Sequence, residues 1–155
     1  MRRFTTRPET DYSKDIVAQV AADFIALGGR SSVGSHGQQH GLASHWDIWM
    51  YSEGMGNAGA LEAATILGAR FLGMEKDLGS IEVGKLGDLV VLNADPLANI
   101  RNTANIRYVV KAGVLYDADS LDELWPKEQK FGDYYWYVPD VYRSDTRPVD
   151  FYDKK

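Results

Sequence analysis

The apolar residues of this 155-residue chain change their spacing once, just after Gly73, and that change dictates a helical part followed by a sheet. From Asp11 to Leu27 the residues Ile16, Val17, Val20, Ala21, Phe24 and Leu27 recur at steps of three and four, the spacing of one face of an amphipathic helix. Asp11 or Ser13 can cap that helix, and Gly28-Gly29 ends it. Arg30 to Ser35 then reads as a short strand that delivers His36 at its C-terminal end. Ser44 can cap a second helix running to about Tyr51, with His45 and Trp49 on one face at i and i+4. A third helix, from about Asn57 to Leu72, has its stripe at Leu61, Ala64, Thr65, Gly68, Phe71 and Leu72.

Beyond Gly73 the pattern is that of strands. Asp77-Leu78-Gly79-Ser80 and Val83-Gly84-Lys85 are turn-rich, and Gly79 and Gly84 permit tight turns. Asp88-Leu89-Val90-Val91-Leu92 is a continuous apolar strand, with Leu89 to Leu92 expected to fill a sheet core and Asp88 to tie a turn amide or Lys85. Ile106 to Lys111 alternates, and Lys111-Ala112-Gly113 turns it back into Val114-Leu115-Tyr116, a hairpin. The segment from Asp117 onward holds nine of the eighteen aromatic residues and three of the five prolines, with no period. It reads as an irregular tail that packs across a surface, either covering the core or serving as a strap for a partner.

Chemistry is confined to one window. All three histidines, His36, His40 and His45, lie within ten residues, and there is no cysteine. Any transition-metal site or near-neutral proton shuttle must therefore draw its imidazoles from this window. Gly37 and Gly41 bracket the His36/His40 pair and disfavour a helix there, so a zinc site complete within these three residues is not expected. Ser35 and His36 are adjacent on a strand and point to opposite faces, which excludes a nucleophile–base pair. Gly84-Lys85 lacks the spacing and the Ser or Thr of a phosphate loop. Gly34-Ser35-His36-Gly37 at a strand's C-terminal end fits the position from which barrels of alternating strands and helices project catalytic groups; a glycine-lined turn with one solvent-facing His is the other reading.

A net charge of −5 argues against a nucleic-acid partner, because phosphate recognition rests on clustered Lys and Arg. The first residues carry the positive charges of a signal peptide without the apolar stretch that should follow, and no segment approaches about 20 uninterrupted apolar residues. The chain as given is expected neither to be exported by its own signal nor to span a membrane, with the cytoplasm as the default compartment.

Two stretches, Ala60-Leu61-Glu62-Ala63-Ala64-Thr65-Ile66-Leu67-Gly68-Ala69 and Gly79-Ser80-Ile81-Glu82-Val83-Gly84-Lys85-Leu86-Gly87-Asp88-Leu89-Val90-Val91-Leu92, resemble the C-terminal signature of the amidohydrolase superfamily, in its imidazolonepropionase-like branch of metal-dependent hydrolases. The resemblance runs from about Pro8 to about Leu124. It implies an α/β fold: the C-terminal portion of a TIM barrel, its last strand and helices over residues 1–75, then part of a small β-sandwich over 76–118 and the aromatic tail over 119–155.

The resemblance also implies an activity, the metal-dependent hydrolysis of C–N bonds other than ordinary peptide bonds, with a divalent metal, zinc by expectation, as cofactor. In this family an Asp after the eighth barrel strand binds metal and shuttles protons; here His36 takes its place. His36 is thus the catalytic and metal-binding candidate, with Gln38 and His45 near the substrate. A neutral imidazole can ligate metal or accept a proton, but it removes a fixed negative charge. The family's other metal ligands have no counterpart in this sequence, and a complete barrel takes at least ~200 residues. The chain is therefore expected to need the missing barrel portion or to oligomerise, with a small molecule as the parent's substrate. The alternative is a non-catalytic structural or interaction module, or a subunit completed by another chain.

Overall fold

The computed structural model describes residues 13–35 and 41–132. They form an α/β arrangement of three helices followed by an antiparallel sheet: α1 (Lys14–Ala26), α2 (Leu42–Ala64), α3 (Ile66–Leu72), β1 (Leu89–Leu92), β2 (Ile106–Lys111), β3 (Val114–Asp117) and β4 (Glu123–Trp125). A short 3₁₀ turn, Ile100–Ala104, separates β1 from β2. His36, Gln38 and His40 lie outside the described residues, as does the tail from residue 133.

The first helix forms where the periodicity predicts it but does not turn the predicted stripe inward. Ile16 is 68% exposed, Leu27 is 88% exposed, and Val17, Val20 and Phe24 are exposed as well. The face that packs is the small one. Ala18 is fully buried, and Ala21 and Ile25 lie against the core. The reason is a close backbone approach: a Cβ built on Gly54 of α2 would stand 2.3 Å from the carbonyl oxygen of Ala18. Two helices can approach this closely only where both present small residues, and the bulky side chains of α1 are left on its far side. Gly28 does end the helix. The Gly28 N–H donates to the Ile25 carbonyl and the Gly29 N–H to the Phe24 carbonyl, both at 2.9 Å, with Gly28 at φ 87°. This double bond pattern is a Schellman motif. Ser13 holds the N-cap position without a side-chain capping bond.

The strand expected over Arg30 to Ser35 is not formed. A strand exists only through a neighbour's ladder of hydrogen bonds, and this segment has no adjacent strand among the described residues. Side chains of α2 hold it instead. The expected helices over 44–51 and 57–72 are also redrawn. One helix runs from Leu42, with Gly41 and not Ser44 at its N-cap, and is kinked at Gly56 (φ 71°, ψ 172°). The next break falls at Thr65 (φ −128°, ψ −97°), before α3. Of the stripe assigned to 57–72, Phe71 and Leu72 are exposed, while Ala60, Ala63 and Ala69 are the buried residues. The α3 helix ends in a second Schellman motif at Gly73 (φ 72°), and the Arg30 guanidinium donates to its Arg70 carbonyl at 3.0 Å.

Between α3 and the sheet, the loop is pinned by Gly79 and Lys85. At φ 90°, Gly79 rests against α3, where a Cβ would stand 2.7 Å from that of Ala69. Lys85 reaches the Glu75 carbonyl, the Ser80 hydroxyl and the Glu82 carboxylate. The sheet is a meander in the order β1-β2-β3-β4. Leu89 pairs with Val110, Val91 with Tyr108, and Lys111 with Val114 across the expected hairpin. Asp88 does tie a turn amide, that of Ala112 at 2.7 Å, but its ion-pair partner is Lys111 and not Lys85. The Ala112 N–H and then Lys111 hold the Asp88 carboxyl below its ordinary pKa.

Two expectations for this part do not hold. Val90 and Val91 are exposed, so β1 does not fill a core within this chain. The start of the expected irregular tail is ordered into β4, which pairs with β3. The buried core lies instead among the helices and the 3₁₀ turn: Ile48, Tyr51, Ala60, Ala63 and Ile100. No helix among the described residues is long and apolar enough to cross a membrane.

Two outcomes follow from this packing. Gly54→Ala should lower stability by about 1–3 kcal/mol in thermal unfolding, since the added methyl meets backbone that cannot rotate away, whereas Gly34→Ala, with open space around its Cβ position, should change little. The hairpin turn has Ala112 at φ 51° and Gly113 at φ 83°, both left-handed. Ala112→Asn should therefore raise stability, by up to about 1 kcal/mol, because Asn tolerates that region and favours this turn.

Candidate functional site

The segment that leads to His36 is held in place by α2. The hydroxyls of Ser31 and Tyr51 are 2.6 Å apart, and the buried Tyr51 also donates to the Ser32 carbonyl at 3.3 Å. The Gly34 N–H donates to the Asp47 carboxylate at 3.3 Å, and the Ser44 hydroxyl to that of Ser35 at 3.4 Å. Residues 44, 47 and 51 recur at helical steps, so one face of α2 aligns a segment that has no strand beside it among the described residues. Tyr51, Asp47 and Ser44 are positioning residues in this sense. Nothing in the sequence pairs them with the segment 9 to 20 residues upstream.

Of the expected site residues, His45 is the one the structure describes. It is in the first turns of α2, half-buried, with Nδ1 3.2 Å from the hydroxyl of Thr103. Trp49, one turn on, donates its indole N–H to the same hydroxyl at 3.0 Å and to the Ile100 carbonyl at 3.1 Å. The Thr103 hydroxyl is also 2.9 Å from the Ile100 carbonyl, to which it donates. The imidazole and indole centroids are 6.3 Å apart, and the Arg101 guanidinium stacks on the indole at 4.0 Å.

The i, i+4 pairing of His45 and Trp49 is thus as the sequence predicts. Its partner is a buried threonine 58 residues away in the 3₁₀ turn. No local pattern marks Thr103, because its role depends on how the sheet region docks against α2. Together with a bond from the Asn57 amide to the Leu97 carbonyl at 2.8 Å, the cluster joins the helical part to the part that carries the sheet.

Burial lowers the pKa of His45 below its ordinary value of 6.5. The positive end of the α2 dipole also opposes an imidazolium here. The ring is therefore neutral near pH 7. A cleft of about 360 Å³ opens elsewhere, lined by Gly28, Gly29, Arg30, Leu67, Arg70 and Glu75 among others. His45 is not among the described residues that line it. Among the described residues, no group of three or more His, Asp or Glu side chains could hold a metal ion.

The comparisons with known proteins agree on one family. The model of the Amidohydrolase family matches residues 20–116, and the chain belongs to that family. It is similar to an imidazolonepropionase from Symbiobacterium thermophilum, 52% identical over 40 residues that cover 26% of this chain and 9% of that protein. Among solved structures, a Xaa-Pro dipeptidase with bound methionine in its active site aligns with a TM-score of 0.58 at 31% identity, over 66% of this chain and 25% of that one. A prolidase complexed with N-methylphosphonate-L-proline aligns with a TM-score of 0.54 at 29% identity, over 64% of this chain and 26% of that one. The chain thus spans about a quarter of the length of these solved relatives and a smaller share of the curated one.

The lowered pKa of His45 fixes a pH dependence. The folded state binds fewer protons at this ring than the unfolded chain, so its contribution to stability is complete above about pH 6.5 and is lost as pH falls from there through the lowered folded value. Thermal unfolding of the wild type and of His45→Gln across this range should show that increment of pH dependence in the wild type alone.

Proposed function

We propose that this chain forms the C-terminal part of a metal-dependent hydrolase of the amidohydrolase family and is not catalytic by itself. The observation that carries this reading is the two-sided first helix. Through Ala18 it packs tightly on α2, yet it presents Ile16, Val17, Val20, Phe24 and Leu27 to solvent. Exposed apolar surface on this scale marks an unfilled interface. A helix with a small inner face and a bulky apolar outer face belongs between two layers, and the described residues supply only one of them. The exposed Val90 and Val91 of β1 have the same character. Family relatives about four times as long supply a natural occupant, the remaining strands and helices of the barrel. In that reading residues 1–75 end the (β/α)₈ barrel, 76–118 form part of a small β-sandwich, and 119–155 extend from it.

The proposed chemistry is hydrolysis of a C–N bond, other than an ordinary peptide bond, of a small molecule. One relative is named an imidazolonepropionase and one solved relative a Xaa-Pro dipeptidase. His36 is the proposed catalytic and metal-binding residue, with Gln38 and His45 toward the substrate. The described residues do not contain a donor set for a divalent metal, zinc by family likeness, so the other ligands would come from the missing portion. A non-catalytic module completed by another polypeptide would bury the same face of α1.

The test is direct. On size-exclusion chromatography the purified chain should elute as an oligomer or aggregate, and the double substitution Val20→Glu, Phe24→Glu should shift it toward monomer with its helical circular dichroism kept. With added zinc it should bind less than one equivalent tightly and hydrolyse neither an Xaa-Pro dipeptide nor imidazolonepropionate. A wild-type monomer that carries stoichiometric zinc and turns over either substrate would overturn the proposal.

A further inference from the structure

We infer that Thr103 locks the imidazole of His45 in the Nδ1–H tautomer, so that Nε2 carries the lone pair and the group His45 recognises is a hydrogen-bond donor, an amide N–H or a hydroxyl, and not a carboxylate. The tautomer stands on geometry; the recognition rests on the proposed placement of His45 at the substrate.

A threonine hydroxyl has one proton to give and two lone pairs to receive. Three groups surround that of Thr103: the Ile100 carbonyl at 2.9 Å, the Trp49 indole nitrogen at 3.0 Å and His45 Nδ1 at 3.2 Å. The carbonyl can only accept and the indole N–H can only donate. The Ile100 carbonyl also receives the indole N–H at 3.1 Å, so the hydroxyl proton has two acceptors to choose between, the carbonyl at 2.9 Å and Nδ1 at 3.2 Å, and we assign it to the nearer. Both lone pairs then face donors, the indole N–H and an N–H on Nδ1. Thr103 is only 4% exposed, so its hydroxyl depends on these three neighbours. A neutral imidazole protonated at Nδ1 has Nε2 as an acceptor, and the tautomer is set by the bond that the other nitrogen makes. Burial favours the neutral ring. Thr103 is thus a positioning residue that acts through His45.

Long-range ¹H–¹⁵N correlation spectra of the uniformly labelled chain at pH 7.5, with His45 assigned by His45→Gln, read the tautomer directly. The expected result is a pyrrole-type Nδ1 and a pyridine-type Nε2 at His45. Thr103→Ser should keep this pattern, and Thr103→Val should move His45 toward the Nε2–H form. A wild-type spectrum showing Nε2–H or an imidazolium overturns the inference, whether or not the valine variant folds. Persistence of Nδ1–H in a folded Thr103→Val chain overturns it too. Titration with propionamide and with acetate tests recognition: the Nε2 resonance should move with the amide, and movement with acetate instead overturns the donor assignment. If neither moves it while the tautomer holds, the placement of His45 at the substrate is what fails.

Discussion

The close contact of α1 with α2 at Ala18 and Gly54 is the constraint on which the rest of the helical part depends. With no side chain on Gly54, the two backbones come within van der Waals distance, and this fixes which face of α1 is spent inside the chain. Everything bulky on that helix is then turned outward. The core that remains is lined largely by alanines, with Ile48, Tyr51 and Ile100 as its larger members. A core of this size supports limited stability, because the free energy of burial follows the apolar area removed from water. The molecule therefore leans on polar ties: Tyr51 to the segment of Ser31 and Ser32, Asp47 to Gly34, and the Thr103 cluster between helices and sheet.

Much of the fold is legible in the residues. The helix over Lys14–Ala26, its glycine stop, the hairpin at Ala112-Gly113 and the left-handed turns at Gly79 and Gly84 follow from periodicity and from backbone freedom, which are local properties. What periodicity does not reveal is which side of a helix finds a partner. The run Ile16, Val17, Val20, Phe24 and Leu27 marks an apolar face correctly, but whether that face is filled depends on which other elements are present. The same holds for β1, whose Val90 and Val91 look like core residues and are exposed. The segment Arg30 to Ser35 has the composition of a strand but no neighbouring strand among the described residues to make it one.

The candidate site divides along similar lines. His45 and Trp49 are visible as a pair because they are one helical turn apart. Thr103 is not, because a single threonine in a short turn has no distinguishing spacing; only the docking of the 3₁₀ turn on α2 gives it three partners. The glycine break at Gly56 was hidden for a different reason. Four glycines lie between residues 54 and 68, and the sequence does not say which of them leaves the helical region.

The helix ends have a consequence for the cleft beside them. Both α1 and α3 finish in the same glycine-terminated motif, and Arg30 bridges from the residues just after the first to the last carbonyls of the second. Gly28, Gly29, Arg30 and Arg70 line the same cleft, so the Arg30 guanidinium ties two of its walls together. Replacing that one side chain would release the two helix ends from each other and change the polarity of the hollow at the same stroke.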